Sequence, residues 1–423
     1  MFRLYRIATA LAALFLPLWL LWRQYKGKED KARLNERFGI TDLKRPEGLL
    51  VWFHAASVGE ANSVLVFIYA LLRRFPEVKL LVTTGTVTSA NLMARRLPKG
   101  VIHQYVPIDT PMATNRFIRH WKPDLAFWVE SELWPNLILA ARMYYCFMGI
   151  INGRMSERSL AMWQKYSGIS QPMLSYFSVV FPQSEADGER FIKLGVPTRQ
   201  VLPMGNLKYD GAPLGCNEEE LLKLSSVIGI RPCWLAASTH PGEEEMVLAA
   251  HKVLTATRRN LLTVIVPRHA RRGAEIAKIL ASHGPVALRS RGDTITEATQ
   301  FYIADTMGEL GLFYRLCEIG FIGGSLVPHG GQNPLEAARL SCCVITGPHT
   351  HNFTDMYEEM EAAQACIRVT NPTQLAAQVD GLLNDGTRLS AMQTIAGEWL
   401  KDKGGATGRI LDTLTPVLEA KPA

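Results

Sequence analysis

Short apolar runs alternate with longer amphipathic stretches along most of the 423-residue chain. LLVWFHA (49–55), VKLLVTTGT (78–86), IHQYVPID (102–109), PDLAFWVE (123–130), CFMGIING (146–153) and FSVVFPQS (177–184) read as strands, and VLPMGNLK (201–208) as a seventh. Helical patterns such as ANSVLVFIYALLRRF (61–75) fill the spaces. Near-continuously apolar strands separated by helices predict a parallel sheet covered on both faces. The pattern restarts with CWLAASTH (233–240), LLTVIVPRH (261–269), PVALRS (285–290), FYIADTMG (301–308), IGFIGGSL (319–326), CCVITGP (342–348) and ACIRVT (365–370). The stretch between the series, 206–220, is rich in turn residues and places a domain boundary there. The fold class is therefore α/β, with two doubly wound domains and a cleft between them. Ligands are expected beyond the carboxyl ends of the strands.

The N-terminus breaks this rhythm. Ile7 to Trp22 carries no charge, Arg3 and Arg6 precede it, and Arg23, Lys26 and Lys28 follow. The apolar core runs into WRQYKGK with no small-residue cleavage site, so an uncleaved anchor is expected, either shallow or spanning. It is a little short of the roughly 20 residues a span needs, and it contains Pro17. A buried N-terminal helix is the plainer alternative. Residues 23–45 hold eight basic against four acidic side chains. Such charge keeps that side on the cytoplasmic face and attracts anionic headgroups. The domains read as 1–25 (anchor), 26–210 and 211–423, with the last helix free to pack back on the N-terminal domain.

Composition narrows the class. The net charge of +7 favours anionic partners such as phosphorylated substrates. Seven cysteines without a C-x-x-C pair argue against a disulfide framework or zinc knuckle. The chain has no G-x-x-x-x-G-K-[ST], H-E-x-x-H or G-x-S-x-G, and no D-x-D pair to hold a metal-bound sugar nucleotide. A nucleotide here must be neutralised by amides and basic side chains.

Candidate groups sit at strand ends. Arg268 and His269 end the strand read at 261–269, where an arginine can grip phosphate bidentately; Arg271 and Arg272 look like a surface loop. Met307 and Gly308 end another strand, and Glu309 then opens a helix. GGSLVPHGGQNPLEAA (323–338) leads glycine turns into Asn333, Pro334, Leu335 and Glu336, a capped helix start whose amides suit phosphate. In the first half, Glu60 follows FHAASVG, Glu130 ends VESELWPN's strand, and Lys208 ends NLK. Ser57 and Glu60 also match the capping-box spacing, so Glu60 reads equally as helix chemistry. Glu132 reads as a cap and Lys208 as a linker charge on the same footing.

FHAASVGE, VTTGTVTSA, VESELWPN, NGRMSERS, PQSEAD, GNLKYD, AASTHPGEEE, VPRHARR, DTMGELG, GGSLVPHGGQNPLEAA and GPHTHNF occur in this order. Together they resemble the 3-deoxy-D-manno-octulosonic acid (Kdo) transferases over nearly the whole chain. Gln332 stands where that pattern usually has histidine, keeping hydrogen bonding without the option of charge. The resemblance implies a GT-B glycosyltransferase, two Rossmann-like domains facing a cleft behind a hydrophobic anchor helix. It implies metal-independent transfer of Kdo from CMP-Kdo to a phosphorylated lipid A precursor, at the cytoplasmic side of an inner membrane with anionic lipid, and no nucleic-acid partner. Glu60 would be the general base, and Glu130 and Lys208 transition-state stabilisers. CMP contacts would fall on Arg268, His269, Met307, Gly308, Glu309, Asn333, Pro334, Leu335 and Glu336. Another GT-B enzyme, such as a sugar-nucleotide epimerase or UDP-sugar transferase, is the alternative.

Overall fold

Every residue of Leu50–Ala55 is buried, because side chains on both faces of this strand meet covering helices. Leu50 and Trp52 enter one apolar cluster with Phe117, Trp121 and Trp128. Val51, Phe53 and Ala55 enter another with Val64, Phe67 and Ile68 of the helix Val58–Arg74. A computed structural model describes residues 1–144 and 146–420. It divides the chain into two units, Met1–Gly211 joined by the chain from Lys403 onward, and Ala212–Asp402.

The first unit holds β1 (Leu50–Ala55), β2 (Lys79–Thr84), β3 (Ile102–Tyr105), β4 (Leu125–Val129), β5 (Phe147–Gly153) and β6 (Val179–Pro182). They form one parallel sheet in the order β3-β2-β1-β4-β5-β6. Strand order therefore reverses between β1 and β4. The helix Ala406–Glu419 belongs to this unit and buries Ile410, Leu411, Leu414 and Leu418 in the cluster built on Val51 and Phe53.

The second unit holds β7 (Cys233–Thr239), β8 (Leu262–Pro267), β9 (Val286–Leu288), β10 (Phe301–Ile303), β11 (Ile319–Ile322), β12 (Cys343–Thr346) and β13 (Cys366–Arg368). The parallel order is β13-β12-β11-β7-β8-β10-β9, so the reversal falls between β7 and β11.

Two expectations change. Residues 201–208 do not form a strand. Val201 makes an isolated bridge to Val180, and Leu202 N–H still reaches Val180 O. Met204 N–H reaches Pro182 O at 3.3 Å, but Pro182 has no N–H to return a bond, and Gly205 turns away at φ +88° into the 3₁₀ turn Leu207–Asp210. The anchor is also not one helix. Phe2–Ala12 and Leu16–Tyr25 are bent by 63°, and no single helix is long and apolar enough to cross a membrane. Pro17 explains the break, since its ring and missing N–H oppose the preceding turn and suit a helix start.

Both N-terminal helices are tied to the first unit. Tyr5 donates to Asp109 at 2.8 Å, Thr9 Oγ1 accepts from Asn136 at 3.0 Å, Phe2 packs on the Trp52 cluster, and Leu20 is fully buried. The basic segment behind them is sorted by the fold. Arg23 and Arg37 share the buried Glu29, Arg33 pairs with Glu36, and Arg45 with Asp124. Lys26, Lys28, Lys31 and Lys44 stay exposed. The planar guanidinium makes several directed bonds at once, as Arg37 does to Glu29, Val106 O and Gly85 O, whereas a lysine head keeps its hydration more readily.

Candidate functional site

The reversal between β1 and β4 places the ends of these two strands side by side. Ser57 caps the helix after β1, and its Oγ accepts the Glu60 N–H at 3.3 Å. In return the Glu60 carboxylate accepts the Ser57 hydroxyl at 2.6 Å and the Ala56 N–H at 2.8 Å. The capping reading is thus physically correct, and it also fixes the carboxylate. Glu60 is 8% exposed. Burial pushes its pKa up to about 7, the charges of Glu132 and Glu130 add to this, and the bonds from Ser57 and Ala56 hold it back. A carboxyl poised near neutrality is what proton abstraction at physiological pH requires.

Glu130 follows β4 directly, in left-handed conformation at φ +57°. Such a conformation costs a non-glycine residue roughly 1–2 kcal/mol, and strained residues of this kind cluster at functional sites. Its Oε1 lies 3.1 Å from Lys208 Nζ. Asn206 fixes the backbone there by accepting the Lys208 N–H at 3.0 Å. Glu132 caps no helix; it accepts the Trp134 indole N–H at 2.8 Å, and burial, then the Glu130 charge, raise its pKa. His54, also in the β1 motif, is fully buried against Thr83 and Trp134, and burial lowers it to about 4. It is a neutral core group. The three residues singled out in the first half therefore share one neighbourhood, with Glu132 as an added acid.

In the second unit, Arg268, Met307, Gly308, Asn333 and Glu336 line one cavity of about 250 Å³ at the carboxyl ends of the strands, together with Ser238, Tyr314, Gln332 and Phe353. The other four residues singled out there lie differently. His269 follows Arg268 and faces His240 rather than the cavity. The Glu309 carboxylate is taken by Arg289 at 2.5 and 2.7 Å and by the Thr306 hydroxyl, which holds its pKa below the usual range, Arg289 being the main cause. Pro334 and Leu335 are buried.

The expected capped helix at 333 is one turn, Leu335–Ala338, with Pro334 at the cap position and Asn333 accepting the Leu335 N–H at 3.1 Å. Aligned peptide dipoles need several turns to accumulate, so side chains rather than this helix must do most of any phosphate binding. The glycine turn before it is already occupied. Glu243, fully buried, accepts the N–H groups of His240, Gly324, Ser325 and Leu326 at 2.6–3.0 Å. Its neighbour Glu244 holds Arg272 through two bonds of 2.6 and 3.1 Å and accepts the Thr239 hydroxyl. Arg272 is consequently buried, not a surface loop residue. Neither role of these two acids is visible in the sequence. No local signal marks them, since the loop that Glu243 gathers lies about eighty residues away. Among the described residues, no group of three or more His, Cys, Asp or Glu side chains could hold a metal ion.

Comparison with known proteins gives consistent results. The family model for 3-deoxy-D-manno-octulosonic-acid transferase (kdotransferase) matches residues 32–211. A probable mitochondrial 3-deoxy-D-manno-octulosonic acid transferase of Arabidopsis thaliana is 37% identical, with 93% of this chain and 90% of that protein covered. The 3-deoxy-D-manno-octulosonic acid transferase of Haemophilus influenzae is 36% identical, with 93% of each covered. The crystal structure of UDP-GlcNAc 2-epimerase from Neisseria meningitidis bound to UDP-GlcNAc matches with a TM-score of 0.58 at 14% identity, over 87% of this chain and 100% of that one. At that identity the likeness concerns the fold alone. The fold is of the GT-B class, as expected.

Proposed function

Because this chain belongs to the 3-deoxy-D-manno-octulosonic-acid transferase (kdotransferase) family, we propose that it transfers Kdo from CMP-Kdo to a phosphorylated lipid A precursor in lipopolysaccharide biosynthesis. The observation that carries the chemistry is Glu60, a buried carboxyl fixed by Ser57 and Ala56 and raised to about 7. In this reading Glu60 takes the proton from an acceptor hydroxyl while that oxygen attacks the anomeric carbon of Kdo. The bond from that carbon to the CMP phosphate oxygen breaks, the configuration inverts, and CMP leaves with the electron pair. Lys208, held by Glu130, and Glu130 itself are assigned to stabilising charge in the transition state. CMP is assigned to the cavity lined by Arg268, Met307, Gly308, Asn333 and Glu336, with no metal required.

The N-terminal helices are assigned to the membrane. Leu4, Ile7, Leu11, Leu14, Phe15, Leu18, Trp19, Leu21 and Trp22 are exposed, while the same helices are tied down through Tyr5, Thr9 and Leu20. A bent apolar pair with tryptophans, followed by exposed lysines, suits a seat in the interface of an anionic inner membrane on the cytoplasmic side. Purified protein, CMP-Kdo and tetraacyl lipid A precursor should give products heavier by one or more Kdo units in mass spectrometry. Absence of transfer, or thermal stabilisation by UDP and not by CMP, would overturn the donor and acceptor assignment.

A further inference from the structure

The second unit gathers imidazoles that the reaction above does not use. His329 stacks on His240 with ring centroids 3.7 Å apart and 37° between planes. His269 meets His240 edge-on at 6.3 Å. His240 is joined to the cavity through Gln332, whose Nε2 lies 3.1 Å from its Nε2, and His269 through the adjoining Arg268. Glu243 gathers the backbone of His240 and of 324–326 onto one carboxylate, tying the start of the loop that carries His329 to His240.

This cluster lacks counter-charge. Glu243 is spent on four amides, and Glu244 and Glu275 on Arg272. Among the described residues no carboxylate pairs with Arg268, His240, His269 or His329, and Glu336 is the one carboxylate lining the cavity. The neighbours act on His240 accordingly. Burial first, then the positive charge of His329, His269, Arg268 and Arg272, lower it to about 4. His240 therefore stays a neutral imidazole beside Arg268 with no carboxylate between them, and an anion bound here would favour its charged form.

We propose that His240 and His329, with Arg268 and His269 beside them, bind the carboxylate of the sugar donor. This rests on the donor assigned above. In a nucleotide-activated 2-ulosonic acid, the anomeric carbon bears both the phosphate oxygen and the carboxylate, so two anions arrive together. Beyond Arg268, the imidazole cluster is the adjacent group of nitrogen donors that no carboxylate engages. The cluster thereby selects an acidic sugar over a neutral hexose carried on the same nucleotide.

The test uses full-length protein with His329→Gln, His329→Lys and His240→Gln, each checked for unchanged thermal unfolding. His329 is exposed, so its variants perturb the fold least. The KM for CMP-Kdo is measured at saturating lipid acceptor, and the inhibition constant of CMP is measured in parallel. His329→Gln is expected to raise the donor KM about tenfold, the equivalent of one charge-assisted hydrogen bond. His329→Lys should restore part of it, and CMP inhibition should stay as in the wild type. Equal weakening of donor and CMP would place the cluster on the phosphate and overturn the proposal. Unaltered KM in both glutamine variants of an active protein would overturn it too. A wild type that does not turn over CMP-Kdo would instead sink the donor assignment, and this inference with it.

Discussion

Replacing Glu60 with glutamine separates its chemistry from its capping. The carboxyl rises from 4.5 to about 7 on folding, an effect of about 3 kcal/mol at roughly 1.4 kcal/mol per unit. The folded state binds this proton more tightly than the unfolded chain. The contribution to stability is therefore fully present below about 4.5 and is lost as pH rises through 7. Above pH 7 the wild type carries a buried charge that Glu60→Gln lacks. The amide can accept only one of the two bonds from Ser57 and Ala56, which offsets about 1–2 kcal/mol of that relief. That loss is the same at every pH, so between pH 5 and pH 8 the variant should gain on the wild type in thermal stability by about 2–3 kcal/mol. Its transfer rate should fall about 10²- to 10⁴-fold, the usual worth of a general base. Wild-type kcat/KM should rise with unit slope to a plateau near pH 7. Thermal melts across pH and initial rates of CMP release read both effects. A pH-independent stability difference, or a variant within tenfold of wild-type activity, would refute the reasoning.

Glu132→Gln removes a like charge near Glu60, so the acid limb of the pH–rate profile should move to lower pH; a shift upward, or none, would contradict the coupling. Tyr5→Phe deletes the hydroxyl that Asp109 accepts and should cost about 1.5–3 kcal/mol in urea unfolding, with faster proteolysis ahead of residue 26. Gly330→Ala places a Cβ 2.4 Å from Asn352 Nδ2 and 2.7 Å from His351 Nε2 at φ +104°, so it should destabilise by at least about 1 kcal/mol and weaken CMP binding measured calorimetrically. Replacing Leu18, Trp19 and Trp22 with serine should abolish flotation with anionic vesicles while leaving the melting temperature near that of the wild type, since all three are exposed.

The strands were legible because strands buried on both faces are apolar at nearly every position, and that property is local. The segment at 201–208 reads the same way but fails, because Pro182 on the neighbouring strand and the turn at Gly205 deny it a full ladder, which only pairing reveals. The N-terminal apolar run was legible as unusual; its break at Pro17 and the burial of Leu20 required the surface of the first unit to pack against.

The amino-acid sequence by itself determined which residues could do chemistry, the two parallel sheets, and the family. Each is written in contiguous residues: an apolar run, a glycine turn, an acid three places after a serine. Tertiary structure decided which of those residues are free to act. Strand reversal set Glu60 near Glu130 and Glu132, and burial then raised its pKa. Arg289 removed Glu309 from the cavity, Glu243 occupied the glycine-turn amides, and carboxylates took the arginines of 23–45 and left the lysines in water. Charge, hydrogen-bonding capacity and burial are spent between residues distant along the chain, so how they are spent is settled only when the chain has folded.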